Sequence, residues 1–354
     1  MDFAIALASS LDSWKDVALA EERGFTNAWF YDSQMLYSDV YVCMARAAEK
    51  TKKIKLGTGV AIPSNRIAPV TAHSIGTIAA LAPKRTILGV GAGFTGRNTM
   101  GLPPVPLADI RSYVATTRKL LRGEEVLYRE GKYERWIRHL HPDRGYVNFA
   151  DEIPIYLAAN GPKALQLTGE IADGWISLIA PPEVFAASLK TVKQAAAAAG
   201  RPDKRWETPL LTTACVLRPG ETIRSQRVVD RVGPVAIVSL HALWEQSAVM
   251  DGAQGPLEDV ARRYREEYVE RTGTPADRAY LKVHEGHLVY LKPGEEKYLD
   301  ENVMKAITLT GTADEIIARL KALEKAGATQ VAIQVVNDGR AMIEEFSEQV
   351  IARY

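Results

Sequence analysis

Short apolar runs alternate with amphipathic stretches from the first residues of the chain. Runs of this length indicate strands that are buried on both faces, and the stretches between them indicate helices. The apolar runs predict strands over 3–8, 28–32, 54–62, 85–91, 153–159, 174–179, 212–217 and 331–336.

Turn and capping residues separate these elements. Gly24 follows Arg23 at the end of the first amphipathic stretch, where a glycine commonly ends a helix. Thr312 is followed three residues later by Glu315, which is the pattern of a capping box. The sequence therefore predicts a helix that begins there and ends before Gly327.

Eight predicted strands that alternate with helices fit either a (β/α)8 TIM barrel or a doubly wound sheet. The even spacing of the strands favours the barrel. Two stretches interrupt it: 124–152 is charged and aromatic, which predicts loops or a hairpin, and 221–305 is irregular and mostly helical. We expect a single domain over 1–354 with these two insertions.

Composition narrows the class of protein. The chain has 354 residues and a net charge of +1 from 44 basic and 43 acidic residues, so the basic surface of a nucleic-acid-binding protein is not expected. Two cysteines do not make a disulfide framework. The N-terminus has no basic region of a signal peptide, and there is no long apolar segment for a membrane span. We expect a cytoplasmic protein that does not enter a membrane.

The segment ILGVGAGFTGRN at 87–98 contains a match to the dinucleotide-binding pattern GxGxxG. That pattern normally follows the first strand, opens a helix and precedes an acidic residue about 20 positions on. Here it follows the fourth strand, and the next residues cannot open a helix. In a barrel, the loops after the strands build the active site, and glycines there let the backbone approach a ligand closely.

Several motifs carry a resemblance to the bacterial luciferase-like superfamily, in the branch near methylenetetrahydromethanopterin reductase. The resemblance is strong over 1–180 and 308–340 and weak over 220–305. The motifs are GF at 24–25, WFYD at 29–32, IKLGTGVAIP at 54–63, Arg66 with Pro69, KR at 84–85, LGVGAG at 88–93, IPIYLAANGP at 153–162, GEIADGW at 169–175, GT at 311–312 and GATQ at 327–330.

The resemblance implies a TIM-type barrel that holds FMN or the deazaflavin coenzyme F420 across its C-terminal mouth, and a homodimer. It also implies a cis peptide at Gly59–Val60 that forms a bulge behind the cofactor ring, and a phosphate site near 160–162. The implied cofactor-binding residues are Asp32, Gly59, Val60, Ala61, Gly91, Gly93, Phe94, Thr95, Ala159, Asn160, Gly161 and Pro162.

Asp32 ends the second predicted strand. It either orients the cofactor ring or binds a polar substrate group, or it caps the next turn with Ser33. The deazaflavin branch often has histidine where Ser33 stands, and the methanopterin reductases have acids where Ala6 and Phe94 stand. These departures count against methanopterin reduction and against a simple F420 assignment.

The candidate substrate-binding residues are Asn65, Arg66, Arg97 and Asn98, which follow the third and fourth strands. Arg66 could bind an anionic substrate, although pairing with a nearby acid is the stronger expectation.

His284 and His287 flank Gly286 inside an apolar stretch. A metal site would need a third ligand, and no residue has a recognisable spacing, so no metal is expected. Histidine suits a general acid or base because it titrates near neutrality. A hydrogen-bonded turn is slightly favoured, but if the segment folds over the barrel mouth, these two histidines and Asp32 are the catalytic candidates.

The function predicted from the sequence is a two-component monooxygenase that uses reduced FMN from a separate flavin reductase, and O2, on a small organic substrate. The first alternative is an F420-dependent enzyme of hydride transfer. The second is a flavin-binding protein without catalytic activity.

Overall fold

The fold is a closed barrel of parallel strands surrounded by helices. It was obtained as a computed structural model, and it describes residues 1–201, 205–245 and 256–354. Part of the predicted second insertion, 246–255, lies outside the described residues. The order around the barrel is β1-β12-β9-β8-β7-β4-β3-β2, with strands numbered along the chain. The strands are β1 Asp2–Leu7, β2 Asn27–Phe30, β3 Lys55–Thr58, β4 Thr86–Val90, β5 Val126–Glu130, β6 Tyr133–Ile137, β7 Ile155–Ala158, β8 Gly174–Leu178, β9 Pro209–Thr212, β10 Ala214–Val216, β11 Leu309–Gly311 and β12 Gln330–Val335.

Helices follow the barrel strands and fill the insertions. The α-helices are Ser13–Glu22, Val40–Lys50, Ala68–Leu81, Phe94–Asn98, Leu107–Leu121, Pro162–Ile171, Pro182–Ala198, Gln226–Glu245, Pro256–Arg263, Ala279–His284, Glu301–Ile307, Ala313–Lys325 and Gly339–Gln349. A π-helical turn spans Tyr264–Val269, and 3₁₀ turns span Glu270–Thr272, Ala276–Arg278, Glu295–Tyr298 and Ile351–Arg353. Thr312 and Glu315 form the predicted capping box. Within the described ranges, no helix is both long and apolar enough to cross a bilayer.

The barrel interior is closed by large side chains beside very small ones. Trp29 is buried, and its indole N–H donates to Gln330 Oε1 at 2.8 Å. Gly57 pairs with Trp29 across β2 and β3, and a Cβ on Gly57 would lie 2.6 Å from Cζ3 of that ring. A glycine is therefore needed at position 57 for Trp29 to lie inside the barrel.

We expect Gly57→Ala to destabilise the protein by about 1–3 kcal/mol, because overpacking forces either Trp29 or its strand to shift. Chemical denaturation followed by tryptophan fluorescence measures this loss. Gly131→Ala in the β5–β6 turn is not a suitable control because its φ is positive, whereas Gly161 has ordinary φ and a Cβ there meets nothing within 4 Å. Equal stability of Gly57→Ala and Gly161→Ala would show that the contact with Trp29 is not tight.

The predicted (β/α)8 barrel is confirmed, but the seventh strand was predicted in the wrong place. The barrel strand is β9, Pro209–Thr212, rather than 212–217. After Thr212 the chain leaves the barrel, and β10 pairs in parallel with β11 outside it. The apolar run continues through both strands, so hydrophobicity alone does not show where the chain turns out of the barrel.

The first insertion contains the predicted hairpin, formed by antiparallel β5 and β6. It joins the end of the helix Leu107–Leu121 to the start of β7, so it lies at the amino ends of the barrel strands. The second insertion follows β9 and β10 and is mostly helical, as predicted. It leaves from the carboxyl ends of the strands, and buried residues including Tyr264 and Val232 form a hydrophobic cluster of its own.

Candidate active site at the barrel mouth

The wall of the mouth is built by the chain after β3. The peptide bond Gly59–Val60 is cis, as the resemblance implied. Directly after it, Ala61 pairs with Val90 as an isolated parallel bridge. The Ala61 N–H donates to the Gly89 carbonyl at 2.8 Å, and the Gly91 N–H donates to the Ala61 carbonyl at 3.1 Å. These hydrogen bonds hold the bulge against the end of β4.

The glycine motif serves this packing and not a dinucleotide fold. A Cβ on Gly91 would lie 2.5 Å from Cγ2 of Val60 and 3.4 Å from Cβ of Ala158, so only hydrogen fits between the bulge and β7. Gly93 has a φ of 79°, in the left-handed region that glycine adopts without strain, and it precedes the short helix Phe94–Asn98.

The residues after β7 fit a bound anion. Gly161 is the N-cap of the helix Pro162–Ile171, it is exposed, and no side chain caps its first turn. The free N–H groups of such a turn and the positive end of the helix dipole attract negative charge. The Ala159 carbonyl accepts a hydrogen bond from the Trp175 indole at 2.8 Å, which holds the loop to β8. Asn160 is exposed beside it. This geometry agrees with the implied phosphate site.

Asp32 is tied into an ion-pair network at the rim of the mouth. Arg66 Nη1 donates to both carboxylate oxygens of Asp32, at 3.0 and 3.1 Å, and Nη2 of the same arginine binds Asp39. Burial raises the pKa of Asp32, and Arg66 opposes this shift. The guanidinium also lies over the Tyr41 ring, 4.9 Å from its centroid. Arg66 thus has its charge balanced by two carboxylates of the chain.

The other predicted substrate-binding residues lie beside this network. Asn65 Nδ2 donates to Gln34 Oε1 at 2.8 Å and contacts the Asp32 carbonyl at 3.3 Å. Asp32, Asn65 and Arg97 line one cavity of about 520 Å3. Arg97 Nε donates to the Pro103 carbonyl, and no carboxylate in the described part of the chain pairs with Arg97. Asn98 follows Arg97 at the end of the short helix.

His284 and His287 do lie over the mouth. Both are buried, their Nδ1 atoms are 3.2 Å apart, and His287 Nε2 is 3.3 Å from the Thr95 hydroxyl. The Tyr37 hydroxyl donates to the His287 carbonyl at 2.9 Å. Leu288, with a φ of 60°, packs against the hydrophobic cluster inside the barrel. This segment therefore covers the mouth next to the glycine loop.

A third histidine, which no spacing in the sequence indicated, lies beside these two. His241 lies on the helix Gln226–Glu245, and one ring nitrogen from each of the three histidines lies within 4.8 Å of the others. All three side chains are buried. Burial lowers the pKa of His241 to about 4 and holds that of His287 well below its usual value, so both rings are neutral at pH 7.

A buried carboxylate supports this cluster. Glu295 Oε1 lies 3.3 Å from His241 Nε2, accepts from the Tyr264 hydroxyl at 2.7 Å and pairs with Lys292 Nζ at 2.9 Å. Neither His241 nor Glu295 was predicted as a site residue. His241 lies far from His284 in the sequence and Glu295 lies nearer to it, and no spacing pattern in this irregular region connects the three residues.

Among families of known proteins, the model described as luciferase-like monooxygenase matches residues 11–330 of this chain. The chain belongs to this family. The match covers six of the eight barrel strands and the insertion over the mouth, and it confirms the resemblance drawn from the motifs.

Two luciferase-like relatives are similar over most of their length. A 5,10-methylenetetrahydromethanopterin reductase of Methanolobus tindarius is 29% identical over 326 residues, which cover 88% of this chain and 86% of the relative. An F420-dependent glucose-6-phosphate dehydrogenase of Kineococcus radiotolerans is 26% identical over 296 residues, with 78% and 86% covered. The chain is thus an oxidoreductase of the luciferase-like type.

A solved structure with the same fold is the coenzyme F420 dependent tetrahydromethanopterin reductase from Methanopyrus kandleri. It superposes with a TM-score of 0.72 at 23% identity, over 100% of this chain and 99% of the other. This similarity confirms the TIM-barrel fold of the luciferase-like type.

Proposed function

We propose that this luciferase-like oxidoreductase uses coenzyme F420 and transfers hydride between it and a small organic substrate. The observation that carries the proposal is similarity to the F420-dependent glucose-6-phosphate dehydrogenase over 78% of this chain and 86% of that relative. The cis bulge and the uncapped helix start at Gly161 would suit the ring and the phosphate of such a cofactor. This reverses the order of the two sequence-based alternatives, since reduced FMN and O2 were expected first.

The chain offers three groups of residues to such a cofactor. The bulge Gly59, Val60 and Ala61 would support the ring, the loop from Gly91 to Thr95 would line its side, and the amides after Asn160 would hold a phosphate. F420, when bound, supplies the hydride carrier. What the protein contributes is orientation of the two reactants and exclusion of water.

Three residues on the substrate side of the mouth differ from those that the F420-dependent branch of the family has at the same positions. Ser33 stands where a histidine is common, and Ala6 and Phe94 stand where methanopterin reductases have acids. We therefore do not propose methanopterin as the substrate. Thr95 and His287 are the polar side chains that meet over the mouth, and Arg97 is a cation in the adjoining cavity.

Binding of cofactors tests this proposal. The purified chain is titrated with F420, with oxidised FMN and with reduced FMN under anaerobic conditions, and binding is followed by cofactor fluorescence. We expect F420 to bind more tightly than either form of FMN. Preferential binding of reduced FMN would favour the monooxygenase and its partner reductase instead. Tight flavin binding without turnover would favour the non-catalytic alternative.

Homodimer formation and a cytoplasmic location stay predictions of the sequence. Neither is needed for the cofactor site, since every residue assigned to it lies in one chain.

A further inference from the structure

In the cluster of His241, His284 and His287, one ring nitrogen of His241 has no hydrogen bond among the described residues. A buried imidazole normally satisfies both ring nitrogens, because an unpaired buried polar atom costs free energy. Among the described residues, His241 Nδ1 has no hydrogen-bond partner, although the side chain is only 2% exposed. The two Nδ1 atoms of His284 and His287 face each other at 3.2 Å.

We propose that these three histidines bind a divalent transition-metal ion of the zinc type. In a tetrahedral zinc site the Zn–N distance is about 2.0–2.1 Å, which places ligand nitrogens about 3.3 Å apart. The pair of Nδ1 atoms in His284 and His287 already has this separation. One ring nitrogen from each of the three histidines lies within 4.8 Å of the others, so a small movement of His241 would complete three ligands.

The residue behind His241 is the kind that supports a metal ligand. A metal-bound histidine usually donates its second ring N–H to a carboxylate, which fixes the tautomer and directs the other nitrogen at the metal. Glu295 lies at this position, with Oε1 3.3 Å from His241 Nε2. A proton on Nε2 leaves Nδ1 with a free lone pair, and Nδ1 is the atom without a partner.

Thr95 lies next to Nε2 of His287, as Glu295 lies next to Nε2 of His241. The Thr95 hydroxyl lies 3.3 Å from His287 Nε2. With Nε2 as the donor, the Nδ1 of that ring carries a lone pair, which would bind the metal in place of the contact with His284. Because Thr95 belongs to the glycine loop, the proposed ion would lie next to the mouth of the barrel.

Lys292 is a buried cation whose charge acts on His241 and His287, and it would oppose a metal ion if it were unpaired. Lys292 is paired, however. Its Nζ pairs with Glu295 at 2.9 Å and donates to the carbonyls of Val283 at 2.6 Å and Lys282 at 3.1 Å. Its positive charge is thus balanced by a carboxylate and turned towards backbone oxygens.

Ligand chemistry decides the class of ion. Neutral imidazoles suit zinc, copper, nickel and cobalt, whereas calcium and magnesium prefer oxygen ligands. Three protein ligands also leave one coordination position open, as in catalytic zinc sites. The ion would join the helix Gln226–Glu245 to the segment after it that covers the mouth.

The test is metal binding by the full chain without any cofactor, so its outcome is independent of the F420 proposal. Protein treated with a chelator and dialysed is titrated with Zn2+ alone by calorimetry, and separately with Co2+ followed by visible absorption. We expect the chain to bind one equivalent of Zn2+. We expect bound Co2+ to show the intense visible absorption bands of an ion with a low coordination number and mostly nitrogen ligands. No saturable binding, or only the weak spectrum of hydrated Co2+, would overturn the proposal.

Variants locate the site. We expect His241→Gln and His284→Gln each to abolish stoichiometric binding, and Glu295→Gln to weaken it about 10–100-fold, as loss of a supporting carboxylate does elsewhere. His141→Gln is the matched control because His141 is exposed and lies in the first insertion. Equal loss in His141→Gln, or unchanged binding in His241→Gln, would contradict the proposal. The Co2+ spectrum of the wild-type chain decides the matter if a histidine variant does not fold.

Discussion

Gly161→Asp is expected to weaken F420 binding by about 10–100-fold without loss of stability. Charge-assisted hydrogen bonds to an anion contribute about 1.5–3 kcal/mol, and a carboxylate at the N-cap would occupy the same free amides that the phosphate needs. Aspartate is also a favoured N-cap residue, so the helix Pro162–Ile171 gains a cap where it has none. We therefore expect the affinity for F420 to fall while the free energy of unfolding does not. Fluorescence titration and chemical denaturation can measure the two quantities on the same sample.

Gly161→Ala is the matched control. Its φ of −85° is ordinary for any residue, and a Cβ there meets no atom within 4 Å. We expect it to bind F420 as the wild-type chain does. If Gly161→Asp also kept the wild-type affinity, the phosphate would have to bind elsewhere.

Arg66→Met is expected to lower the free energy of unfolding by about 3 kcal/mol. Asp32 is 7% exposed, and removal of its partner leaves a buried carboxylate without compensation. Chemical denaturation at neutral pH measures this loss by comparison with the wild-type chain, in which Asp32 is paired with Arg66.

The double variant Asp32→Asn with Arg66→Met separates charge from packing. Asparagine carries no charge to leave uncompensated, so we expect the double variant to recover much of the stability that Arg66→Met loses. If the two substitutions were instead additive, Asp32 and Arg66 would not be coupled, and Arg66 would be left free for a substrate anion.

Much of the barrel could be predicted from the sequence because its strands are buried on both faces. Short apolar runs identified β1 to β4, β7, β8 and β12, with ends displaced by a few residues. The exception is β9: the run 212–217 joins a barrel strand to β10, and nothing in its hydrophobicity marks where the chain turns outwards. Pro209 at the start of β9 makes that strand harder to recognise.

The site could be predicted only where it depends on local sequence. The family resemblance implied the bulge after β3, and glycine and proline positions indicated the loop at Gly93 and the helix start at Pro162. The pairing of Arg66 with Asp32 and the contact of His287 with Thr95 both depend on how separate loops meet. His241 and Glu295 come together through packing inside the second insertion, and no spacing in the chain encodes that contact.

Three residues led the sequence-based prediction to place FMN before F420. Ser33, Ala6 and Phe94 depart from the F420-dependent branch, and these departures moved the prediction towards FMN. The relatives that match most of the chain include an F420-dependent enzyme, which is 26% identical over 78% of this chain. If the F420 proposal holds, these positions indicate a change of substrate rather than a change of cofactor.

Hydrogen exchange with and without F420 tests most directly whether the cofactor lies across this mouth. The account predicts slower exchange of backbone amides in 59–61, 91–95 and 161–165 when F420 is added, and altered exchange in 284–291, where Leu288 packs into the mouth. Protection confined to other parts of the chain, or no protection at saturating F420, would contradict it.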